Sequence, residues 1–242
     1  MGQTIDLAAA ARVAGSSPGL TAYAVRPPGS GRVPGVVVVH EAFGLQDVTR
    51  RQAEHLASLG YAVVAPDLFS DGGAMRCLRT TMRSMRTGRG RAYQDIAAAR
   101  QWLLDQDDSN GAVGIIGFCM GGGFALATAA GHGFDASSVN YGMLPSTPDV
   151  LEGACPIVAS YGGRDASLAG AAGKLEHHLT RLGVAHDVKE YPEAGHSFLN
   201  DEQSVPWYLA PVLRVAGFGP QPEAAADAWG RIARFFSQHL AR

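Results

Sequence analysis

The feature that most limits how this chain can fold is a series of short, uninterrupted apolar runs. The first is four consecutive valines, Val36 to Val39, lying between Gly35 and His40. A run that is apolar on both of its alternating faces is typical of a strand covered on both sides, as in a parallel sheet. Comparable runs occupy residues 61–65, 113–117 and 156–160, and a weaker alternating run occupies 187–191. We therefore predict the strands of a mostly parallel sheet.

Helical patterns separate most of these runs. Apolar residues at helical spacing recur around residues 53–60, 96–103, 175–182 and 229–240. Strands that alternate with helices predict an α/β fold with a doubly wound sheet flanked by helices, and ligands of such folds bind beyond the carboxyl ends of the strands. No repeat, low-complexity tract or linker divides the sequence, so we expect residues 1–242 to form a single domain.

The composition disfavours several classes of function. The sequence is 46% hydrophobic and 17% charged with a formal net charge of -2, which argues against disorder and against a nucleic-acid-binding surface. Its apolar stretches fall short of the roughly 18 to 20 residues that a membrane span needs. No charged segment followed by an apolar run opens the sequence. We therefore expect a cytoplasmic protein without a membrane span.

The cysteine content argues against a disulfide framework. Cys77, Cys119 and Cys155 form no Cys-x-x-Cys pair, and three cysteines cannot all pair within one chain. A structural zinc site is disfavoured for the same reason, and at least one thiol is free. The histidines show no convincing metal-ligand spacing either, so we predict neither a metal nor an organic cofactor.

One of these cysteines directly follows a predicted strand. The sequence Gly117-Phe118-Cys119-Met120-Gly121-Gly122 ends the third apolar run and leads into a helix of small residues. Strand, sharp turn and helix, with glycines two residues before and after the central position, form the nucleophile elbow G-x-S-x-G with sulfur in place of oxygen. The helix N-terminus would favour the thiolate, and the Met120 N–H would point at a developing oxyanion.

The alternative is that Cys119 is a small buried apolar residue among glycines that let a helix pack closely on a strand. A useful control is the segment Gly15-Ser16-Ser17-Pro18-Gly19, which matches G-x-S-x-G in letters but follows no apolar strand. Pro18 also has no N–H to offer an oxyanion. The setting of Cys119, rather than the letters of the motif, favours a nucleophile.

A nucleophile elbow needs an acid and then a histidine downstream, each placed after a strand. Asp165 follows the run at 156–160, and His196 follows the run at 187–191. The imidazole would accept the thiol proton while the carboxylate fixes its tautomer and orientation. Taken singly, Asp165 could instead cap a helix together with Ser167, and His196 could be an exposed loop residue. Their order after Cys119 favours a triad.

The loop after the first strand begins with Glu41 and Ala42. Burying a glutamate directly after four valines is costly unless the carboxylate has a partner. A loop at this position is the usual source of the second oxyanion N–H, which we assign to Ala42. The alternative for Glu41 is an ion pair with Arg50 or Arg51.

Five segments together resemble the dienelactone hydrolase family of α/β hydrolases, and the similarity extends from about Leu20 to the final helix. The matching segments are His40-Glu41-Ala42-Phe43-Gly44, Ala65-Pro66-Asp67-Leu68, Gly117-Phe118-Cys119-Met120-Gly121-Gly122, Gly162-Gly163-Arg164-Asp165 and Gly195-His196-Ser197-Phe198. The resemblance implies an α/β-hydrolase fold and a cysteine hydrolase with Cys119, Asp165 and His196 as its triad. It also implies that Glu41 engages the resting thiol, which pairs with the histidine when an anionic ligand binds.

One position departs from the family pattern. Members that act on dienelactone carry an arginine four residues after the triad histidine, where it holds the substrate carboxylate. In this chain the residue at that position is Asn200. The departure argues against dienelactone itself as the substrate.

The segment 71–91 is the most unusual stretch of the chain. An apolar stripe and an arginine stripe share helical spacing there, with Met75, Leu78, Met82 and Met85 beside Arg76, Arg79, Arg83 and Arg86. Three interpretations of this amphipathic helix stay open: a lid over the site, a surface for a partner, or a solvated face above a core stripe. As a lid, the helix would bring Arg79 or Arg83 to an anionic substrate.

These features predict a hydrolase that cleaves a small-molecule ester or lactone, including anionic ones, through a Cys-His-Asp triad and an acyl-enzyme. Phe43, and Tyr141 after a further predicted strand, are candidates for the pocket wall. The rival hypothesis is a small-molecule binding protein on the same fold with little or no turnover. A nucleotide-binding enzyme is disfavoured because neither G-x-G-x-x-G at the first strand nor a G-K-[ST] ending occurs.

Overall fold

The computed structural model describes residues 2–11, 13–29, 31–201 and 219–241. Eight strands form one sheet, namely β1 (Gln3–Asp6), β2 (Thr21–Val25), β3 (Val33–Val39), β4 (Ala62–Pro66), β5 (Ser109–Phe118), β6 (Ala136–Asn140), β7 (Ile157–Gly162) and β8 (His186–Tyr191). Their spatial order is β1-β2-β4-β3-β5-β6-β7-β8. The strands from β3 to β8 run parallel, whereas β1 and β2 are antiparallel additions beyond β4. The predicted α/β class with a mostly parallel sheet is therefore confirmed.

Seven α-helices accompany the sheet within the described residues. They are α1 (Leu7–Ala11), α2 (Asp47–Ser58), α3 (Gly73–Thr87), α4 (Arg91–Leu104), α5 (Met120–Ala127), α6 (Ala171–Leu182) and α7 (Pro222–Leu240). Two short 3₁₀ helices lie at Pro148–Leu151 and Ala166–Leu168. None of the helices in these ranges is long and apolar enough to cross a membrane.

Helices cover both faces of the sheet and enclose two cores. Helices α4, α5 and α6 bury Leu103, Phe124 and Leu175 against one face. Helices α2 and α7 bury Leu56 and Phe236 against the other. The valines of β3 alternate between the two cores, which explains why the run is apolar at every position.

The apolar runs correspond to β3, β4, β5, β7 and β8, and the further strand before Tyr141 is β6. The sequence analysis missed β1 and β2. Strand β1 is short and largely exposed at the sheet edge, so it shows no apolar run. Strand β2 contains a buried apolar run from Ala22 to Val25, which was the available signal for this strand.

The segment 71–91 contains α3, which confirms the predicted helix. Leu78, Met82 and Met85 are partly buried against the core under α4 and α5, whereas Arg79 and Arg83 are exposed. The side chains of Met75, Arg76 and Arg86 lie outside the described residues. The described part of the apolar stripe therefore belongs to the core, and a lid role stays a prediction.

Candidate active site

Four loops at the carboxyl edge of the sheet carry the predicted site. Because β3, β5, β7 and β8 run parallel, the loops that follow them emerge at the same edge. Glu41 follows β3, Cys119 follows β5, Asp165 lies beyond β7 and His196 lies beyond β8. Residues far apart in the sequence are thus gathered by the topology alone.

Cys119 occupies the sharp turn between β5 and α5. Its backbone has φ 56° and ψ -115°, in the positive-φ region that non-glycine residues rarely adopt. Hydrogen bonds on both sides hold this conformation: the Cys119 N–H donates to the Asn140 carbonyl at 3.1 Å, and the Gly123 N–H donates to the Cys119 carbonyl at 3.2 Å. The strand, turn and helix of the predicted elbow are therefore present, and Cys119 is half-buried at the turn.

The glycines around the elbow are required by close backbone packing. A Cβ atom on Gly117 would lie 1.9 Å from the Gly121 carbonyl oxygen, and one on Gly121 would lie 2.0 Å from that of Val39. A Cβ atom on Gly122 would lie 2.6 Å from the Asn140 carbonyl oxygen. The glycines thus let the first turn of α5 rest directly on the ends of β3 and β6.

His196 and Asp165 form a short, buried hydrogen bond. Nδ1 of His196 lies 2.5 Å from Oδ2 of Asp165, and both side chains are almost fully buried. Their loops are tied together, because the Gly163 N–H donates to the Tyr191 carbonyl and the Arg164 N–H to the Ala194 carbonyl. The two chain segments that supply acid and base therefore form one packed unit.

Asp165 also caps the 3₁₀ helix that follows it, through the carboxylate oxygen that does not face His196. Its Oδ1 accepts hydrogen bonds from the Ser167 N–H at 3.0 Å and from the Ser167 hydroxyl at 2.5 Å. Burial alone would raise the pKa of Asp165, but the hydrogen bonds from His196 and Ser167 outweigh burial and lower it. The carboxylate is therefore ionised and held in one orientation.

The protonated form of His196 is stabilised by its neighbours. Burial lowers the pKa of this imidazole, but hydrogen bonds to Asp165 and to Cys119, together with their charges, raise it to about 10. The effect of Cys119 on this pKa indicates that the nucleophile candidate lies near the base candidate. An imidazolium beside a sulfur atom is the arrangement that an ion-paired thiolate requires.

Glu41 lies in a buried polar network rather than at the surface. Its Oε1 accepts hydrogen bonds from the Ser197 hydroxyl at 3.1 Å and from Nδ2 of Asn200 at 3.2 Å. The arginines considered as alternative partners make other ion pairs, Arg50 with Asp47 and Arg51 with Asp201. The cost of burying the glutamate is offset by these hydrogen bonds.

Asn200 connects Glu41 to two further side chains. Its Oδ1 accepts hydrogen bonds from Nε2 of Gln52 at 3.0 Å and from the Tyr141 hydroxyl at 3.4 Å. Only 2% of Asn200 is exposed. The residue that departs from the family pattern is therefore a buried connector, and its amide is committed to neighbouring side chains.

His40 fixes the start of the same loop. Its Nε2 accepts a hydrogen bond from the Leu68 N–H at 3.1 Å, so Nδ1 carries the proton and donates to the Glu41 carbonyl at 2.7 Å. Complete burial lowers the pKa of His40, which keeps the ring neutral. His40 thus holds the Glu41 backbone against the loop after β4.

The two oxyanion candidates lie on elements that touch each other. Met120 is the first residue of α5, where helix N–H groups have no partner within the helix. Ala42 lies in the turn closed by the Gly44 N–H and the Glu41 carbonyl. Gly121 lies very close to the carbonyls of Val39 and His40. The loop that contains Ala42 therefore begins in contact with the first turn of α5.

The pocket-wall candidates are placed differently. The Tyr141 ring is buried 5.1 Å from the His196 ring, measured between centroids, whereas Phe43 is 40% exposed. Burial, and then the charges of Glu41 and Cys119, raise the pKa of the Tyr141 phenol well above its ordinary value. Tyr141 is thus a neutral side chain between the triad candidates and the Glu41 network.

Several functional candidates were missed by the sequence analysis. Gln52 and Ser197 belong to the Glu41 network, yet neither was singled out. Gln52 is a polar residue at a buried position of α2, and this conflict with the helix pattern was the available signal. Among the described residues, no group of three or more His, Cys, Asp or Glu side chains is arranged to hold a metal ion.

Three arginines of the segment 71–91 have described side chains that lie outside the triad region. Arg79 and Arg83 are exposed, and Arg91 pairs with Asp71 beside a different, polar cavity. A substrate-binding role for Arg79 or Arg83 therefore stays a prediction.

Comparison with known proteins identifies the family. A model of the dienelactone hydrolase family matches residues 20–240. The carboxymethylenebutenolidase of Rhodococcus opacus is 27% identical and covers 95% of this chain and 90% of its own length; that of Pseudomonas putida is 28% identical and covers 73% and 80%. A solved dienelactone hydrolase-like promiscuous phosphotriesterase from metagenomic libraries has a TM-score of 0.76 and 27% identity, covering 92% of this chain and 93% of its own. The chain belongs to the dienelactone hydrolase family and is a hydrolase with the α/β-hydrolase fold.

Proposed function

We propose that this protein hydrolyses a carboxylic ester or lactone through a Cys119-His196-Asp165 triad and a thioester acyl-enzyme. The observation that carries the proposal is the buried hydrogen bond between His196 and Asp165, at the same edge of the sheet where the elbow presents Cys119. Asp165 holds the imidazole in one orientation, and the elbow holds the sulfur against it.

In the first half of the reaction, the Cys119 sulfur adds to the substrate carbonyl carbon while His196 holds the thiol proton. The carbonyl oxygen becomes an oxyanion, which the N–H groups of Met120 and Ala42 stabilise. The tetrahedral intermediate then expels the alcohol oxygen, and His196 transfers its proton to that oxygen. A thioester on Cys119 and a free alcohol result.

In the second half, water replaces the alcohol. His196 takes a proton from the water as its oxygen adds to the thioester carbonyl, and the same N–H groups stabilise the second oxyanion. The carbon–sulfur bond breaks, the carboxylic acid leaves, and the sulfur again pairs with protonated His196. The cycle consumes one water and one ester without another reactant.

Glu41 is proposed to engage the resting thiol, as the family resemblance implies. Its burial and its hydrogen bonds to Ser197 and Asn200 support a fixed carboxylate beside the elbow.

Hydrolysis of short p-nitrophenyl esters and simple lactones tests the proposal. We expect Cys119→Ala and His196→Ala to lose at least about 10³-fold in kcat/KM, because these groups act as a unit. The matched control is Cys77→Ala, which removes a thiol from α3 and should retain wild-type turnover. Equal turnover by Cys119→Ala and wild type would contradict the proposal.

Thiol labelling distinguishes this proposal from the rival hypothesis of a small-molecule binding protein with little or no turnover. A thiol paired with imidazolium should react with iodoacetamide at neutral pH much faster than Cys155, whose pKa burial raises to about 12. Labelling of Cys119 no faster than that of Cys155 would favour the binding protein.

A further inference from the structure

We propose that the apolar cavity between α3, α5 and the loop after β6 holds the acyl arm of the substrate, and that this arm is uncharged. The inference rests on the proposed function and narrows its substrate class to esters of neutral, apolar carboxylic acids. It assigns a binding role to residues that the triad does not use.

The cavity begins one helical turn from the nucleophile. Gly123 lines it and donates its N–H to the Cys119 carbonyl, and Ala127 continues the same face of α5 one turn further on. The opposite wall begins with Met143, which directly follows Gly142. A Cβ atom on Gly142 would lie 2.3 Å from the Gly122 backbone, so the β6 loop also abuts the elbow helix. The cavity is therefore continuous with the elements that hold Cys119.

The described lining of the cavity is uncharged and mostly apolar, with hydroxyl groups from Thr87, Ser146 and Thr147. Its volume is about 370 Å³, and its side walls include Met85, Ala127, Met143, Leu144, Pro145 and Val150. None of the described residues that line it carries a charge. Met143 and Val150 are among the few large apolar side chains that are exposed, at 37% and 52%. An apolar concavity of this size suits a small alkyl or aryl group.

The triad geometry assigns the acyl arm, rather than the alcohol, to this cavity. The alcohol oxygen must leave beside the His196 imidazole to receive its proton, and His196 packs against Asp165 and the loops after β7 and β8. The cavity is bounded instead by α3, α5 and the β6 loop. With the carbonyl carbon on Cys119, the arm opposite the leaving oxygen extends along α5.

Among the described residues that line the cavity, none offers a charged partner to an anionic acyl arm. Asn200 is neutral and its amide is hydrogen-bonded to Glu41, Gln52 and Tyr141. The buried Glu41 carboxylate would repel a second carboxylate. An uncharged acyl arm avoids this repulsion, and burial of its apolar surface favours binding.

The test is an acyl-chain series with a constant leaving group. We expect kcat/KM for p-nitrophenyl acetate, butyrate and hexanoate to rise roughly threefold to fourfold per added methylene, because each methylene leaves water for the cavity. The p-nitrophenyl half ester of adipic acid, which matches hexanoate in length but ends in a carboxylate, should be hydrolysed at least about tenfold more slowly than hexanoate. A flat series, or preference for the adipate half ester, would overturn the inference.

A charge placed at the cavity mouth provides the matched test. Val150→Lys should lower kcat/KM for hexanoate roughly fivefold and raise the ratio of adipate half ester to hexanoate. Leu59→Lys is the control, because Leu59 is 42% exposed at the end of α2, away from the carboxyl edge. Both positions are exposed enough for the variants to fold. Identical selectivity of the two variants would contradict the cavity assignment.

The two proposals fail in different ways. If Cys119→Ala abolishes hydrolysis of every ester but acyl-chain length has no effect on kcat/KM of the wild-type protein, the cavity assignment is wrong and the triad mechanism is retained. If Cys119→Ala hydrolyses p-nitrophenyl acetate as fast as wild type, the triad mechanism is wrong and the cavity inference falls with it.

Discussion

Nδ2 of Asn200 donates a hydrogen bond to Oε1 of Glu41 at 3.2 Å, and both side chains are buried. The amide therefore compensates a carboxylate that has left water. On its other side the same amide accepts from Gln52, which links helix α2 to the site. The network provides a test of how Glu41 is held.

Asn200→Asp should destabilise the protein strongly near neutral pH. The variant places a second buried carboxylate against Glu41 and removes a donor, so we expect the free energy of unfolding to fall by roughly 2 to 4 kcal/mol. Urea denaturation followed by circular dichroism measures the change. Gln94→Glu makes the same amide-to-acid change at an exposed position of α4 and should stay within about 0.5 kcal/mol of wild type. Equal losses in both variants would contradict the role of Asn200.

The contribution of His196 to stability should decrease as the pH rises. Its pKa is raised from 6.5 to about 10, so the folded state holds a proton that the unfolded chain releases in this range. The stabilisation is complete below pH 6.5 and is lost as the pH rises through about 10. Wild type should exceed His196→Gln in unfolding free energy by more at about pH 6 than at about pH 9.5. A difference that is constant or grows with pH would count against the Asp165 and Cys119 contacts.

The glycines of the elbow should differ sharply in their tolerance of alanine. Gly121→Ala forces a Cβ atom to within 2.0 Å of the Val39 carbonyl oxygen, which belongs to backbone and cannot move alone, so loss of folding or of at least about 3 kcal/mol is expected. Gly173→Ala is the matched control on α6, where nothing lies within 4 Å, and it should be neutral or stabilising by up to about 1 kcal/mol. Thermal melts of both variants measure the contrast. A fully stable Gly121→Ala would show that the elbow packs differently.

Arg231 should be the side chain that contributes most to holding α7 against β8. Its guanidinium donates to both carboxylate oxygens and the carbonyl of Asp187, and to the Ala159 carbonyl, the Ser160 hydroxyl and the Tyr191 hydroxyl. Arg231→Met removes all of these hydrogen bonds, and we expect a loss of about 2 to 4 kcal/mol in urea denaturation. The exposed Arg234→Met on the same helix should cost less than about 0.5 kcal/mol.

The fold and the triad candidates could be predicted because their signals are local. An apolar run, a glycine-flanked Cys119 and single polar residues after two later strands each occupy a few positions, and parallel strands bring them to one edge without further information. The same reasoning could not find the contact between Gln52 and Asn200, because it depends on how α2 packs on the site. The burial of Arg231 could not be predicted for a related reason, since a charged residue on an amphipathic helix is ordinarily exposed to water. The antiparallel strand β2 contains a buried apolar run from Ala22 to Val25, so a local signal for this strand was available as well.

Among the described strands, β8 lies at the end of the sheet and pairs only with β7, yet the loop beyond it carries His196. Local unfolding of an edge strand costs less free energy than unfolding of a central strand. Strand β8 and its loop should therefore exchange their amide hydrogens before the elbow between β5 and α5 does. Each opening separates the imidazole from the sulfur while the rest of the sheet stays intact. Heating or mild denaturant should therefore cause a reversible loss of activity before the molecule unfolds. The stability of the pairing between β8 and β7 then limits the temperature at which the enzyme is active.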